Sequence, residues 1–162
     1  MQGYIYGING PVIKVSGNKN LKLHEMVSIG DKNLIGEVIE IKNDYAIVEV
    51  YEPTTGLKVG DKVKGQNMPL SASLGPGIIG NIFDGIQRPL DEIKLQSGAF
   101  ITQGVEVRNL NTQKIWDVEI LAKVGDRVEG GSIVAKTRES GAIIHKIMIP
   151  PNIFGQVIKV CE

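Results

Sequence analysis

From Gly3 to Asn67 short apolar runs alternate with turn residues. Ile5 and Ile8 lead to a turn at Gly10-Pro11, Val12 to Val15 resumes, and Ser16 to Asn20 breaks the run again. Further strands are expected at Glu25–Ile29, Leu34–Ile41 and Tyr45–Tyr51, with Lys42-Asn43-Asp44 as the tight loop between the last two. Val38 lies between Ile35 and Ile39, and Ile47 between Ala46 and Val48, so these strands are apolar on both faces. That pattern suits a small closed barrel that packs against something else. After Pro53 to Gly56 the run Leu57–Val63 is expected to close it.

The pattern changes at Ser73. Gly75, Pro76 and Gly77 end any strand arriving from Leu74, and Pro76 suits a first helical position. Ile78, Ile79, Ile82 and Phe83 recur at helical spacing, so a helical turn is expected there, with Gly85 in the left-handed conformation that ends it. Arg88-Pro89 forces an extended exit, and Asp91–Leu95 reads as one more helical turn stopped by Ser97-Gly98. From Val105 strands resume: Glu106-Val107, Ile115–Ala122, Ser132–Lys136, Ile143–Ile149 and Gly155–Val160. Turns separate them at Asn109–Thr112, Gly125-Asp126, Glu139–Gly141 and Pro150–Asn152. The chain therefore reads as mainly β: an N-terminal β-barrel over 1–67, a connector with short helical turns over 68–104, and a second β-rich, barrel- or sandwich-like domain over 105–162. Val59-Gly-Asp-Lys-Val-Lys-Gly65 is echoed by Val124-Gly-Asp-Arg-Val-Glu-Gly130, which is one turn chemistry used twice rather than a solenoid repeat.

Composition supports this reading. Twenty glycines among 162 residues, with aromatics at 5%, suit a turn-rich β protein with an aliphatic core. Eighteen basic and eighteen acidic side chains cancel, which removes the broad field that would recruit nucleic acid or an anionic membrane. No apolar run approaches the ~20 residues of a membrane span, and Met1–Gly7 lacks the features of a signal peptide, so a cytoplasmic location without direct membrane contact is expected. The single Cys161 has no internal partner and reads as a bystander.

Candidate chemistry is sparse. Gripping a triphosphate needs Gly-x-x-x-x-Gly-Lys-Ser/Thr, and no such run occurs; Gly60-Asp61-Lys62 and Gly125-Asp126-Arg127 put an acid where a polyanion would have to sit. His24 and His145 are far apart with no Cys or second His near either, so no metal site is expected. Asp84 and Asp91 lie close in sequence without a nucleophile nearby and suit helix-end or solvated roles. Trp116 reads as core or rim packing, with a partner anchor as the alternative.

Gly75-Pro-Gly-Ile-Ile-Gly80 followed by Asp84-Gly-Ile-Gln-Arg-Pro-Leu90 resembles the stretch found in the catalytic A subunit of vacuolar- and archaeal-type rotary ATPases. The likeness extends to Gly10-Pro11-Val12, Tyr51–Gly56, Gly104–Val107, Val124–Gly131, His145-Lys146-Ile147 and Pro150-Pro151, and so covers all 162 residues. In that family a nucleotide-binding domain follows, and this sequence ends at Glu162 before reaching it. The resemblance implies a barrel that helps link alternating A and B subunits into a ring, and an outward bulge domain near the peripheral stalk with its E and G subunits. ATP and Mg would belong to the full-length parent, whose reaction is coupled to H+ or Na+ transport; no catalytic residue, cofactor or metal is expected in this chain. Asn109–Trp116 and Thr137–Ala142 would then form a contact surface, with Asn109, Gln113, Trp116, Arg138 and Glu139 as its candidate residues. Ile78, Ile79, Ile82 and Phe83 would rest against the nucleotide domain. As an alternative, the 105–162 segment also resembles biotinyl and lipoyl carriers through Gly125-Asp-Arg-Val-Glu-Gly-Gly131 and Phe154-Gly155-Gln156-Val157. Carriers present a lysine at a hairpin tip; their spacing leads here to Gly141 and Ile144, while Lys146 falls within a strand.

Overall fold

The computed structural model describes residues 2–17 and 20–161; of the expected break at Ser16–Asn20, Asn18 and Lys19 lie outside the described residues. The chain divides into two compact units that do not follow chain order. The first is Met1–Ala72 with Asp84–Val107, and the second is Ser73–Phe83 with Arg108–Glu162. The segment expected to act as a connector is thus shared between them.

In the first unit β1 (Gln2–Asn9), β2 (Val12–Ser16), β3 (Glu25–Ile29), β4 (Leu34–Ile41), β5 (Tyr45–Val50) and β6 (Lys62–Pro69) close an antiparallel barrel in the order β1-β2-β5-β4-β3-β6. Ile5, Ile13, Val15, Val27, Ile29, Leu34, Val38, Val48 and Val63 fill it, each at 0–1% exposure. A fully buried aliphatic side chain of this kind contributes roughly 1.5–3 kcal/mol. The expected double-sided apolar pattern leaves Ile35 and Ile47 half-buried and Ile39 and Ile41 exposed outside the barrel; Ile39 sits in a bulge where the β4–β5 register slips between Val38 and Glu40.

The closing strand starts later than the sequence suggests. Lys58 to Asp61 is a turn in which Gly60 takes φ 98°, Asp61 N–H donates to Lys58 O, and the Asp61 carboxylate accepts from Lys58 N–H at 2.8 Å. Its echo folds identically: Gly125 has φ 98°, Asp126 N–H donates to Lys123 O, and the Asp126 carboxylate accepts from Lys123 N–H at 2.8 Å.

Gly36, in β4, is sterically required. A Cβ on Gly36 would lie 2.6 Å from Glu49 O, 2.9 Å from Ile29 Cδ1 and 3.0 Å from Val48 Cγ1. Gly36→Ala is therefore expected to cost about 1–3 kcal/mol through forced strand displacement, read as a fall in Tm of about 10 °C.

The expected helical turn over Ile78–Phe83 does not form. Gly77 (φ 99°) and Gly80 (φ 84°) each end a tight turn, with Pro76 pre-setting the first, and positive φ at both excludes a continuous α conformation. Gly85 is not left-handed either; Gln87 is, at φ 62°. By contrast Asp91–Leu95 lies within a full two-turn helix, α1 (Leu90–Ser97). Its first turn carries Asp91 and Glu92, Ile93 is buried, and it ends at Gly98 (φ 76°), whose N–H donates to Lys94 O at 2.9 Å.

In the second unit β7 (Val118–Ile120), β9 (Ile133–Arg138) and β10 (Ile144–Met148) form a sheet in the order β10-β9-β7, while β8 (Arg127–Val128) pairs with β11 (Gly155–Gln156). β7, β10 and β11 are shorter than the runs Ile115–Ala122, Ile143–Ile149 and Gly155–Val160 suggest, β9 runs on to Arg138, two residues past the expected end at Lys136, and Glu106-Val107 is not a strand.

Candidate protein-contact sites

Two buried polar clusters hold the Gly-rich segments. In the first unit Arg88 lies between two carboxylates. Its Nη1 donates to Glu52 Oε1 at 3.0 Å, its Nε to Asp84 Oδ2 at 2.7 Å, and Nη1 also to Val105 O at 3.3 Å. The side chains of Arg88, Glu52 and Asp84 are 12%, 6% and 18% exposed. Glu52 Oε2 accepts from Gly104 N–H at 2.7 Å, and Asp84 Oδ1 accepts from the N–H groups of Ile86 and Arg88. Burial pushes the Asp84 carboxyl up, but these donors and the Arg88 charge outweigh it and hold it below its ordinary value. The arrangement fastens 84–107 to the barrel's Tyr51–Gly56 turn, where Gln103 Nε2 also donates to Pro53 O and Thr55 O.

In the second unit Glu139 plays the matching part. Oε1 accepts from Gly77 N–H at 2.7 Å and Ile79 N–H at 2.8 Å, and Oε2 meets His145 Nε2. Consecutive turns aim both amides at one anion, the geometry of a backbone nest. Burial raises the Glu139 carboxyl, yet the bonds from His145, Ile79 and Gly77 outweigh it and leave it below its ordinary value. On the barrel's exterior Glu37 accepts from Tyr51 and His24, which lowers its carboxyl. Burial and that bond push the Tyr51 phenol up to about 12.

The five residues singled out from sequence do not share one surface. Asn109 is half-buried with Nδ2 3.4 Å from Ser73 Oγ, whereas Gln113 is exposed in a loop whose turn is made by Asn111 Oδ1 accepting from Gln113 N–H at 2.9 Å. Trp116 is half-buried: Cζ2 lies 3.6 Å from the Cβ position of Gly77, and Lys114 Nζ sits 4.1 Å from the ring centroid. Arg138 is exposed, with Nη1 donating to Gly141 O at 3.1 Å. Glu139 has to be corrected as a surface candidate. Its side chain is 4% exposed and every acceptor position described is directed at the 75–81 segment or at His145. The turn character of 139–141 suggested exposure; the amides that turn the carboxylate inward lie 60 residues earlier.

Register defines which side chains share the outer face of the three-stranded sheet. Glu119 pairs with Lys136, Ile144 with Arg138 and Lys146 with Lys136, so these project from one side together with Asp117. Ala135, Thr137 and His145 occupy the other side, where Ala135 and Thr137 are buried and Thr137 Oγ1 donates to Asp117 O at 2.6 Å. A shallow groove of about 490 Å³ on the exposed face is lined by Asp117, Val118, Glu119, Lys136, Arg138 and Ile144. Among the described residues no group of three or more His, Cys, Asp or Glu converges as a metal site would, and no helix is long and apolar enough to cross a membrane.

Comparison with known proteins matches each module to a domain model. Residues 5–66 match the beta-barrel domain of the ATP synthase alpha/beta family, and residues 107–162 match the ATP synthase alpha/beta subunit barrel-sandwich domain. The chain belongs to the ATP synthase alpha/beta family. Among its relatives, a V-type ATP synthase alpha chain of Clostridium tetani is 50% identical over 99% of this chain and 27% of the relative. The A subunit of the A-type ATP synthase of Methanosphaera stadtmanae is 51% identical over 96% of this chain and 26% of the relative. A V-type ATP synthase alpha chain of Halothermothrix orenii is 45% identical over 98% of this chain and 27% of the relative. The chain thus spans about a quarter of the length of these relatives, and its similarity is to the N-terminal region of V- and A-type A subunits. Neither the domain models nor the relatives support the carrier alternative. The 139–143 hairpin tip carries Ser140 and Gly141, and Lys146 lies inside β10.

Proposed function

We propose that this chain works by protein–protein contact in the head of a V/A-type ATP synthase. The barrel joins neighbouring A and B subunits, and the 108–162 module meets the peripheral stalk through its E and G subunits. ATP and Mg are bound by other parts of the whole A polypeptide, whose synthesis or hydrolysis of ATP is coupled to H+ or Na+ movement, and the head lies on the cytoplasmic side, peripheral to the membrane. The observation that carries the reading is the match of both modules to alpha/beta domains, together with relatives about four times as long. The barrel exterior supports it: Tyr4, Tyr6, Ile8, Ile39, Ile41 and Tyr51 are 37–46% exposed, more apolar surface than an isolated barrel needs. Ile79 and Ile82, at 52% and 71%, are available to the nucleotide domain of the same polypeptide.

Calorimetric titration of this chain with the E–G stalk heterodimer is expected to give saturable heat. No heat above background at tens of micromolar would reject the stalk contact.

A further inference from the structure

The outer face of the β7–β9–β10 sheet carries three bases and two acids, and they are unequally engaged. On β9 Lys136 is held by Glu119 of β7 at 2.9 Å. Neither Arg138 nor Lys146 has a carboxylate within ion-pair distance among the described residues, although Arg138 pairs across the ladder with Ile144 and Lys146 with Lys136. The result is a basic strip over β9 and β10 with Ile144, 46% exposed, set between its two unpaired charges. The groove on this face is lined by Lys136, Arg138 and Ile144 together with Asp117, Val118 and Glu119. With Lys136 and Glu119 neutralising each other, the charge left over on β9 and β10 is positive.

We propose that this face receives an acidic segment bearing an aliphatic side chain, with carboxylates meeting Arg138 and Lys146 and the aliphatic group resting on Ile144. It rests on the reading of the 108–162 module as a contact surface and names the chemistry of what it contacts. Exposed ion pairs contribute little individually, so the aliphatic contact supplies part of the affinity and the charges supply orientation and selection against basic partners.

The test titrates the isotope-labelled chain with a short synthetic peptide of glutamates with interspersed leucines, followed by amide chemical shifts. Saturable shifts are expected at 136–138 and 144–146, diminishing as salt is raised. Arg138→Glu/Lys146→Glu should weaken binding at least about tenfold, and Arg138→Ala/Lys146→Ala, which introduces no like charge, should weaken it less. The peptide with lysine in place of glutamate should leave those amides unmoved. An absence of saturable shifts at millimolar peptide, or equal affinity in the charge-reversed variant, would overturn the proposal. Stalk calorimetry on the same variants separates the two readings. A stalk that binds wild type and the reversed variant equally overturns this surface and leaves the stalk contact standing. Peptide binding here without stalk binding rejects the stalk contact and supports the surface.

Discussion

Replacing Arg88 by alanine is expected to destabilise the barrel unit by about 3–5 kcal/mol, the usual cost of removing one partner from a buried ion pair. Two carboxylates depend on this guanidinium, and at 6% and 18% side-chain exposure Glu52 and Asp84 have little water to turn to. Arg88→Lys should recover only part of the loss, because an ammonium cannot reach Glu52, Asp84 and the Val105 carbonyl with the spread of a guanidinium fork. Adding Glu52→Gln to Arg88→Ala should recover part as well, by removing a stranded charge. Urea unfolding followed by far-UV circular dichroism measures all three. Hydrogen exchange should show protection falling across the barrel unit, first and most over 84–107, which the network fastens directly. A loss below about 1 kcal/mol would mean that the cluster is solvated and behaves like a surface pair. The acid dependence has a fixed sign. Asp84 is held below its ordinary value of 3.8, so its stabilisation is complete above that pH and disappears as the pH falls through the lowered value; in Arg88→Ala that slope should flatten.

The barrel was legible because its information is local. β3 and β4 begin and end at the residues that the alternation of Glu25–Ile29 and Leu34–Ile41 indicates, and each is bounded by a turn within a few positions. The Gly-Asp turns were legible for the same reason, since both the glycine's positive φ and the aspartate's bond to an amide three residues back are settled within one turn. The 75–83 segment misled because its isoleucines fit a helical period while Gly77 and Gly80 impose two tight turns, and spacing carries no information about φ. What holds those turns is a carboxylate 60 residues later. Likewise Arg88 meets Glu52 across 36 residues; the pairing of a buried arginine with a distant acid has no periodic signature. In the second unit the apolar run Ile115–Ala122 overstates β7, because Ile115 is 93% exposed and only Val118–Ile120 finds β9 to pair with. Of the contact candidates, Glu139 is drawn inward by amides that no local pattern announces.

Glu139→Ala is expected to release the Gly75–Asn81 turns from the rest of the second unit. Two amides at 2.7 and 2.8 Å and the His145 ring lose their acceptor together, and leaving such donors unsatisfied costs about 1–3 kcal/mol. The lone tryptophan reports the event directly. Its Cζ2 lies 3.6 Å from the Cβ position of Gly77, so freeing the Pro76-Gly77 turn uncovers the Trp116 ring and its emission should shift to longer wavelength. Glu139→Gln separates geometry from charge: the amide oxygen still accepts from Gly77 and Ile79, so the emission should stay close to wild type, while the charged acceptor for His145 is gone. The two variants also differ in their pH response. Because Glu139 is held below its ordinary value of 4.5, wild type keeps this contribution above that pH and loses it as the pH drops through the lowered value. Glu139→Gln has no carboxylate to protonate and should show no such step. Unchanged emission and unchanged urea midpoint in Glu139→Ala would refute the role assigned to this side chain, whereas a red shift in alanine with none in glutamine identifies the nest of backbone amides, rather than the contact with His145, as the stronger part of the hold.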